Sequence, residues 1–378
     1  MSRKKIRKLG IIAGLFILSA CLLWPAVSMA VENSECLECH GDSSLEREVS
    51  EGMNPALFID EDKFNHSVHN VNDISCVDCH ADIEELNWDN DLPHDEVLQT
   101  VCCDTCHEDE GEAYQNSVHK KAYRKGITML CYACHNYHYA TRLGAASVSE
   151  RENEFCLKCH NPFKFHKWLP QSSTHFAFVE CTVCHAPDTP RHIHLRLFDL
   201  ASNRFIDSKE ILNVLGIEEA EFMLLVDTNK DQSISAKEFK KMVRLLREKG
   251  VHAQFHGELV AELEPSLHQV NRGEAKGQDC EVCHTADSPY FDAVTMVFTR
   301  DDRSAVHFDV SRDVLSSYYV QFYALGGTRV RVLDKIGIAL IVGGLGVAGL
   351  HQTVRILTIP MRRRRREEEK IKNSKEVH

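Results

Sequence analysis

The sequence predicts a mainly α-helical fold with extensive irregular loops and little sheet, a helical insert, and one C-terminal transmembrane helix. Three observations support this prediction: seven Cys-x-x-Cys-His motifs, a 94-residue stretch without cysteine between the sixth and seventh motifs, and an apolar run at 336–360. Hydrophobic residues make up 43% of the 378 positions and charged residues 26%, which excludes a wholly disordered chain and a polytopic membrane protein.

The seven motifs account for 14 of the 16 cysteines. Two thiols three residues apart reach the two vinyl groups of one porphyrin, and the next imidazole then lies under the iron. Zinc sites and tight disulfides also use paired cysteines, but neither explains a histidine after every pair. We therefore predict seven covalently bound haem c groups. The attaching cysteines are Cys36, Cys39, Cys76, Cys79, Cys103, Cys106, Cys131, Cys134, Cys156, Cys159, Cys181, Cys184, Cys280 and Cys283. The proximal histidines are His40, His80, His107, His135, His160, His185 and His284.

Seven haems leave each one roughly 43 residues of exported chain, too few for a conventional core. The porphyrins are therefore expected to form a stack that the polypeptide wraps. Turn-forming stretches at 41–44 and 87–93 agree with a loop-rich chain.

The sixth iron ligand decides function, because a filled position permits only electron transfer. Of the 22 histidines, 15 lie outside the motifs, and a Ser-x-His or Ser-x-x-His pattern recurs among them. The distal candidates are His66, His69, His119, His138, His166, His175, His192, His194, His256, His268 and His307. His252 is a further candidate, and His94 is a weaker one.

The SVH before an attachment site and the run CYACHNYH at 131–138 resemble the multihaem cytochromes c of anaerobic respiration. Seven motifs and a C-terminal span look most like the heptahaem c-type subunits of quinol-oxidising cytochrome b/c complexes. The resemblance implies bis-histidine, low-potential haems and no catalytic residue. It also implies electron transfer between a membrane b-type cytochrome or quinone-reactive subunit and exported cytochromes or other carriers. The alternative is a reductase of a small nitrogen or sulfur oxyanion with one five-coordinate haem.

The cysteine-free insert contains a calcium-loop pattern. Residues 227–238 resemble an EF-hand loop, because oxygen-bearing side chains recur where a hard cation needs them. The predicted calcium ligands are Asp227, Asn229, Asp231, Ser233 and Glu238. Position 6, normally glycine, is Gln232, so one weakly held Ca²⁺ is the expectation, and a metal-free helix pair that acts as a spacer is the alternative.

A degenerate second loop begins at Asp199. It places Asn203, Asp207 and Glu210 at loop positions 5, 9 and 12. Paired EF-hand loops join through a short β-bridge at position 8, so Ile206 and Ile234 are expected to pair.

The two ends of the chain predict its location. Residues 1–30 have a basic start, an apolar run and Ser28-Met29-Ala30, the form of a secretory signal. Cleavage after Ala30, a retained anchor and acylation of Cys21 remain alternatives. At the other end, Arg362–Arg366 follow the apolar run directly and are expected to stay cytoplasmic. The prediction is a single-pass protein of the cytoplasmic (inner) membrane with its haem region on the periplasmic side.

The predicted organisation follows. It comprises a signal peptide (1–30), a region with haems one to six (31–190), the EF-hand-like insert (191–250), the seventh-haem region (251–330), the transmembrane helix (336–360) and a basic tail (361–378). Of the net charge of −12, residues 31–330 carry −23 and the two ends carry +11. Such an acidic middle favours basic partners and makes nucleic-acid binding unlikely.

Overall fold

The computed structural model describes residues 32–46, 57–83, 91–94, 100–199, 202, 204–272, 280–285, 288–322 and 331–376. It divides into two compact units. The first comprises residues 1–111 and 130–142, and the second comprises 112–129 and 143–378. This division differs from the predicted boundaries at 190/191 and 250/251. The predicted signal peptide lies outside the described residues.

The motif-bearing part of the chain consists of short helices separated by turns. Their bounds are α1 Asn33–His40, α2 Glu61–Asn65, α3 Cys76–Cys79, α4 Glu108–Gln115, α5 Val118–Lys121, α6 Val148–Glu154, α7 Pro162–Phe165, α8 Ser172–Phe178 and α9 Cys181–His185. None exceeds eight residues, below the length at which an isolated helix is stable in water. With the helices of the insert and the C-terminus, about half of the described residues are helical, which confirms the predicted helical, loop-rich character.

A six-stranded sheet, in contrast, was not expected. The strands are β1 Arg191–Asp199, β2 Arg204–Phe205, β3 Ala253–Ala261, β4 Val294–Thr299, β5 Ala305–Asp309 and β6 Val320–Gln321. Their order is β5-β4-β1-β3-β6, with β2 paired to β1. Strands β1 and β3 pair antiparallel along their full length, from Arg191 opposite Ala261 to Asp199 opposite Ala253. The sheet thus joins the start of the predicted insert to the region that follows it.

The two faces of the sheet differ in chemistry because side chains alternate along each strand. On β1, Ile193 and Leu195 are fully buried and point to an apolar face, to which β3 contributes Leu259. The opposite face carries His194 of β1 and Glu258 of β3, which are paired directly.

The apolar face packs on three helices of the insert: α10 Ser208–Leu215, α11 Glu219–Val226 and α12 Ala236–Glu248. Buried Phe222 and Phe239 lie at the centre of this core, and the Phe239 ring lies 4.7 Å from the Phe255 ring. Ser235 caps α12 by accepting from the Glu238 N–H, while the Glu238 side chain accepts from the Ser235 N–H. This reciprocal capping fixes the start of the helix.

The expected bridge between Ile206 and Ile234 is wrong. Ile234 instead forms a parallel bridge with Val310, just after β5, and the Ile206 N–H donates to the Leu197 carbonyl. In the described part of the predicted second loop, residues 204–205 form β2, and Asp207 accepts from the Glu210 N–H at the start of α10. Strand β2 pairs with β1, so this segment belongs to the sheet.

A short helix, α13, spans Cys280–Cys283 before β4. The last two described elements of the chain are α14 Arg331–Leu357 and α15 Ile359–Glu376. Residues 335–357 of α14 have a mean hydropathy of 1.5 and none of them is buried. Length and composition therefore suit this helix for crossing a membrane. Arg362–Arg366 lie in α15, directly beyond it.

Candidate haem sites

Each Cys-x-x-Cys-His motif folds as a turn that presents its side chains together. In five motifs the histidine N–H donates to the carbonyl of the first cysteine, four residues earlier, at 2.8–2.9 Å. Because residues four apart share one face of a helical turn, the thiol and the imidazole point to the same side. The turns belong to α1, α3, α9 and α13 in four motifs and are tighter or irregular in the others.

Six motif histidines face a second histidine. The ring centroids of each pair lie 5.9–6.4 Å apart. The pairs are His40–His94, His80–His138, His107–His69, His160–His119, His185–His166 and His284–His175. The weaker candidate His94 is thus among the paired histidines; it has no Ser-x-His context that could have signalled it. His135 closes the turn at 131–135 in the first unit.

This separation fits one iron between two imidazoles. Metal–imidazole bonds of about 2.0–2.1 Å, with each ring centre about 1.1 Å beyond its nitrogen, give centroid separations of roughly 6.3 Å. Direct ring packing in the same molecule is closer, as between His256 and Phe178 at 4.5 Å. The two histidines of each pair therefore fit as residues that would hold a haem iron between them.

Hydrogen bonds set the tautomer of several of these rings. In five of them Nδ1 lies 2.9–3.3 Å from a backbone carbonyl oxygen. Since a carbonyl can only accept, Nδ1 carries the proton and the Nε2 lone pair is directed to the metal position. The bonds are His40–Leu57, His69–Tyr137, His166–Pro162, His175–Gln171 and His185–Asn271.

The serine of the Ser-x-His pattern has a structural role. Ser117 is fully buried and accepts from the His119 N–H at the start of α5. Ser67, also fully buried, accepts from the Asn70 N–H one residue after His69. Short serine side chains satisfy such turn amides locally, and this fixes the backbone that carries the histidine.

The attachment motifs adjoin one another within each unit. In the first unit, Cys36 contacts Cys76 and Cys103 contacts Cys131 by side-chain hydrogen bonds. In the second, Cys156 contacts Cys181 in the same way. Burial raises the pKa of Cys76 to about 12 and that of Cys103 to about 11.

The remaining distal candidates fall into two groups. His66 and His268 have Nδ1 bonded to the carbonyls of Asp62 and Pro265, at 2.6 and 3.2 Å. They thus share the anchoring of the paired histidines, although no proximal histidine lies opposite His66 among the described residues.

His192, His194 and His307 lie beside one another on the polar face of the sheet. Nε2 of His192 is 2.6 Å from Nε2 of His194, and the His194 and His307 ring centroids are 5.0 Å apart. His256 stacks on Phe178. These four histidines therefore lie on the sheet. In the described parts of the chain, none of them lies opposite a motif histidine.

Buried charges accompany these histidines. Arg151 and Glu180 are 3.4 Å apart, and the Arg196 guanidinium lies 4.0 Å from Glu258 while donating to the Ala145 carbonyl. Arg196 is 7% exposed and Glu258 2%. At 4.0 Å, the ion pair between Arg196 and Glu258 compensates poorly for the loss of water around the two charges. Burial accordingly raises the pKa of Glu258 to about 7.

We expect Glu258 to make stability depend on pH. The pKa of Glu258 in the folded protein lies above the usual 4.5. Its contribution to the free energy of unfolding is therefore complete below pH 4.5 and is lost as the pH rises through about 7. Glu258→Gln should abolish this decline in urea-unfolding free energy between pH 4.5 and 7. Glu248→Gln, at an exposed position, is the control. Parallel pH profiles for wild type and Glu258→Gln would contradict the assignment.

The predicted calcium loop is closed by its own hydrogen bonds. Glu238 accepts from Thr228 and Asn229 through one carboxylate oxygen, and Asp227 accepts from the backbone of Gln232. Gln232 adopts φ of +67°, a left-handed conformation at the position that normally holds glycine. Among the described residues, no group of three or more His, Cys, Asp or Glu side chains is arranged to hold a metal ion. The calcium site therefore stays a prediction.

Comparison with known proteins gives one match. Residues 45–160 match the model of the class III cytochrome c family. This range covers about three tenths of the chain and contains four of the seven motifs, the second to the fifth. No curated protein and no solved structure matches the chain.

Proposed function

We propose that the chain is a membrane-anchored heptahaem electron conduit. The match of residues 45–160 to the class III cytochrome c family supports a multihaem c-type cytochrome with covalently bound haem c and a role in electron transfer. The conduit would pass electrons between a membrane quinol or b-type cytochrome module and exported carriers. When bound, the haem groups would supply the reversible Fe(III)/Fe(II) couple, and the motif cysteines and paired histidines of this chain would hold them.

The observation that carries this proposal is the set of six histidine pairs. A second imidazole at roughly bis-histidine spacing leaves the iron no open position for a substrate oxygen or sulfur atom. Neutral imidazoles on both faces also favour low potentials. The pairs therefore favour electron transfer over the alternative oxyanion reductase, which needs one five-coordinate iron.

His268 is proposed as a seventh distal ligand. It shares the Ser-x-His context of His69, His119 and His175, each of which faces a motif histidine. Its Nδ1 is also anchored to a backbone carbonyl.

The contacts between motifs suggest which haems are neighbours. In the first unit, Cys36 adjoins Cys76 and Cys103 adjoins Cys131, which places motif one beside motif two and motif three beside motif four. In the second unit, Cys156 adjoins Cys181, which places motif five beside motif six. The haems of each such pair of motifs would then be neighbours that exchange electrons.

The position relative to the membrane is proposed from the two ends. The arginine block after α14 favours a cytoplasmic tail, and the N-terminal signal exports the haem region to the periplasmic side of the inner membrane. His351 lies in α14 four residues before Arg355, on the same face. Ionisable residues within a span usually have partners, so this face is proposed to meet the b-type cytochrome or quinone-reactive subunit.

The test of the proposed function measures the number of bound haems and the spin state of their irons. Protein matured with haem c assembly should have an intact mass equal to the processed chain plus seven haems. Its magnetic circular dichroism should show only low-spin iron. A mass matching the chain plus zinc would end the haem assignment, and a high-spin signal of one seventh of the iron would shift the function to the reductase.

Calcium is proposed as a weakly held structural ion of the insert. Asp227→Ala with Glu238→Ala should remove one bound calcium and destabilise the helices α11 and α12, while haem content stays unchanged. Isothermal titration of the holoprotein measures the binding. Asp301→Ala, outside the loop, is the control. Equal calcium binding by wild type and the double variant would exclude the loop.

A further inference from the structure

The exposed face of α12 is a cationic surface on an otherwise acidic exported region. Its members recur at helical spacing, and we call them the cationic stripe: Lys237, Lys240, Lys241, Arg244 and Arg247. All five are exposed, and Glu248 is the one acidic residue exposed on this helix. In the described part of the chain, none of the five has a carboxylate ion-pair partner. The stripe therefore has positive charge that the fold does not neutralise.

Apolar side chains border the stripe. A cavity of about 320 Å³ between α11 and α12 is lined by Leu225, Val226, Met242 and Leu245, by Lys241 and Arg244 of the stripe, and by the carboxylates Glu238 and Glu248. Leu224, which precedes Leu225 on α11, is 79% exposed. This groove is therefore an apolar surface that the cationic stripe borders, with the exposed Glu248 at its edge.

Two tyrosines lie at the end of the stripe. The Arg247 guanidinium lies over the Tyr319 ring, 4.6 Å from its centroid. Tyr318 is 68% exposed and is hydrogen-bonded to Tyr319. Lysine or arginine beside exposed tyrosine and leucine is the composition found where proteins meet the headgroup region of a bilayer.

We propose that the cationic stripe docks on anionic phospholipid headgroups of the same bilayer that α14 crosses, with Leu224 and Leu225 at the headgroup boundary. This inference rests on the membrane anchoring proposed above. Tyr319 is 16 residues from Lys335, where the apolar part of α14 begins, so the chain between them spans at most roughly 55 Å. The anchor thereby converts a weak surface affinity into an intramolecular contact.

The charge distribution favours an anionic bilayer over an acidic protein as the binding partner of the cationic stripe. Each cation near an anionic bilayer strengthens association roughly fivefold, whereas the rest of the exported region, strongly acidic, is repelled. These opposed forces would hold α12 toward the membrane and the acidic haem region away from it. An acidic protein partner would be expected to use the charges without the exposed leucines and tyrosines.

The test uses the full holoprotein in nanodiscs of phosphatidylcholine alone or with phosphatidylglycerol. The readout is the acetylation rate of Lys240 and Lys241, measured by mass spectrometry. The rate should fall about tenfold in the anionic discs and recover at high salt. In Lys237→Glu with Arg244→Glu, which keeps both reporter lysines, the two kinds of disc should give rates within about twofold of each other.

A matched double reversal controls for net charge. Lys120→Glu with Arg124→Glu, at exposed positions of α5 and the turn after it, should leave the protection of Lys240 and Lys241 unchanged. Both double variants should keep the wild-type haem spectrum, which separates this inference from the electron-transfer proposal. Equal acetylation in the two kinds of disc would overturn it and leave an acidic protein as the occupant. A chain that does not enter discs through α14 would contradict the anchoring and the docking together.

Discussion

Replacing His175 by alanine is expected to convert one haem in seven from low-spin to high-spin iron. The His175 ring lies 6.1 Å from that of His284, and its Nδ1 donates to the Gln171 carbonyl. Alanine removes the axial nitrogen and opens one coordination position. Magnetic circular dichroism should show the high-spin fraction. His175→Met should keep that iron low-spin and raise its potential, because a thioether ligand favours Fe(II).

His66→Ala is the matched control for this substitution. His66 has the same Nδ1-to-carbonyl anchoring, to Asp62, but lies opposite no motif histidine in the described residues. Its loss should leave all seven irons low-spin. If His66→Ala produced the high-spin signal and His175→Ala did not, the pairing of axial ligands proposed here would be incorrect.

Replacing Phe239 by alanine is expected to cause the largest loss of stability. Phe239 is fully buried on the inner face of α12 and packs against Phe255 of β3. Truncating a buried phenylalanine costs about 3–5 kcal/mol, through lost burial and the cavity that remains. Urea unfolding followed by far-ultraviolet circular dichroism should show an earlier transition. Haem content should be unchanged, since every attachment motif is intact.

Leu224→Ala is the control for that substitution, because Leu224 lies on the neighbouring helix and is 79% exposed. Its effect on the unfolding free energy should stay within about 0.5 kcal/mol. Equal shifts for Phe239→Ala and Leu224→Ala would mean that the sheet and the insert helices do not share one core.

Haem attachment at the seven motifs is predicted from the sequence alone, because its chemistry is local, and it stays a prediction. Cysteine, cysteine and histidine within five residues form one turn, and that turn presents all the groups needed. The Ser-x-His pattern was informative for the same reason, since Ser117 fixes the backbone of His119 over two residues. Pairing a distal with a proximal histidine depends on tertiary structure, so the sequence left it open.

The sheet was missed although β1 carries a period-two signal. His192, His194 and Arg196 alternate with Ile193, Leu195 and Leu197, which is typical of a strand with one buried face. The same histidines also suit iron ligation, so the alternation alone does not distinguish a strand from a ligand-bearing loop. The bridge from Ile234 to Val310 joins residues 76 positions apart, and nothing in the loop pattern specifies such a distant partner.

The pairing of His175 with His284 has a topological consequence. An iron held by both would cross-link residues about 110 positions apart and enclose the insert and strands β1, β2 and β3 within one closed loop. Because the entropy of closing a loop grows only with the logarithm of its length, each doubling costs about 0.6 kcal/mol. The enclosed segment can therefore grow or shrink at little thermodynamic cost to the haem that closes it. That haem would hold the two ends of the enclosed segment together whatever the length of the segment.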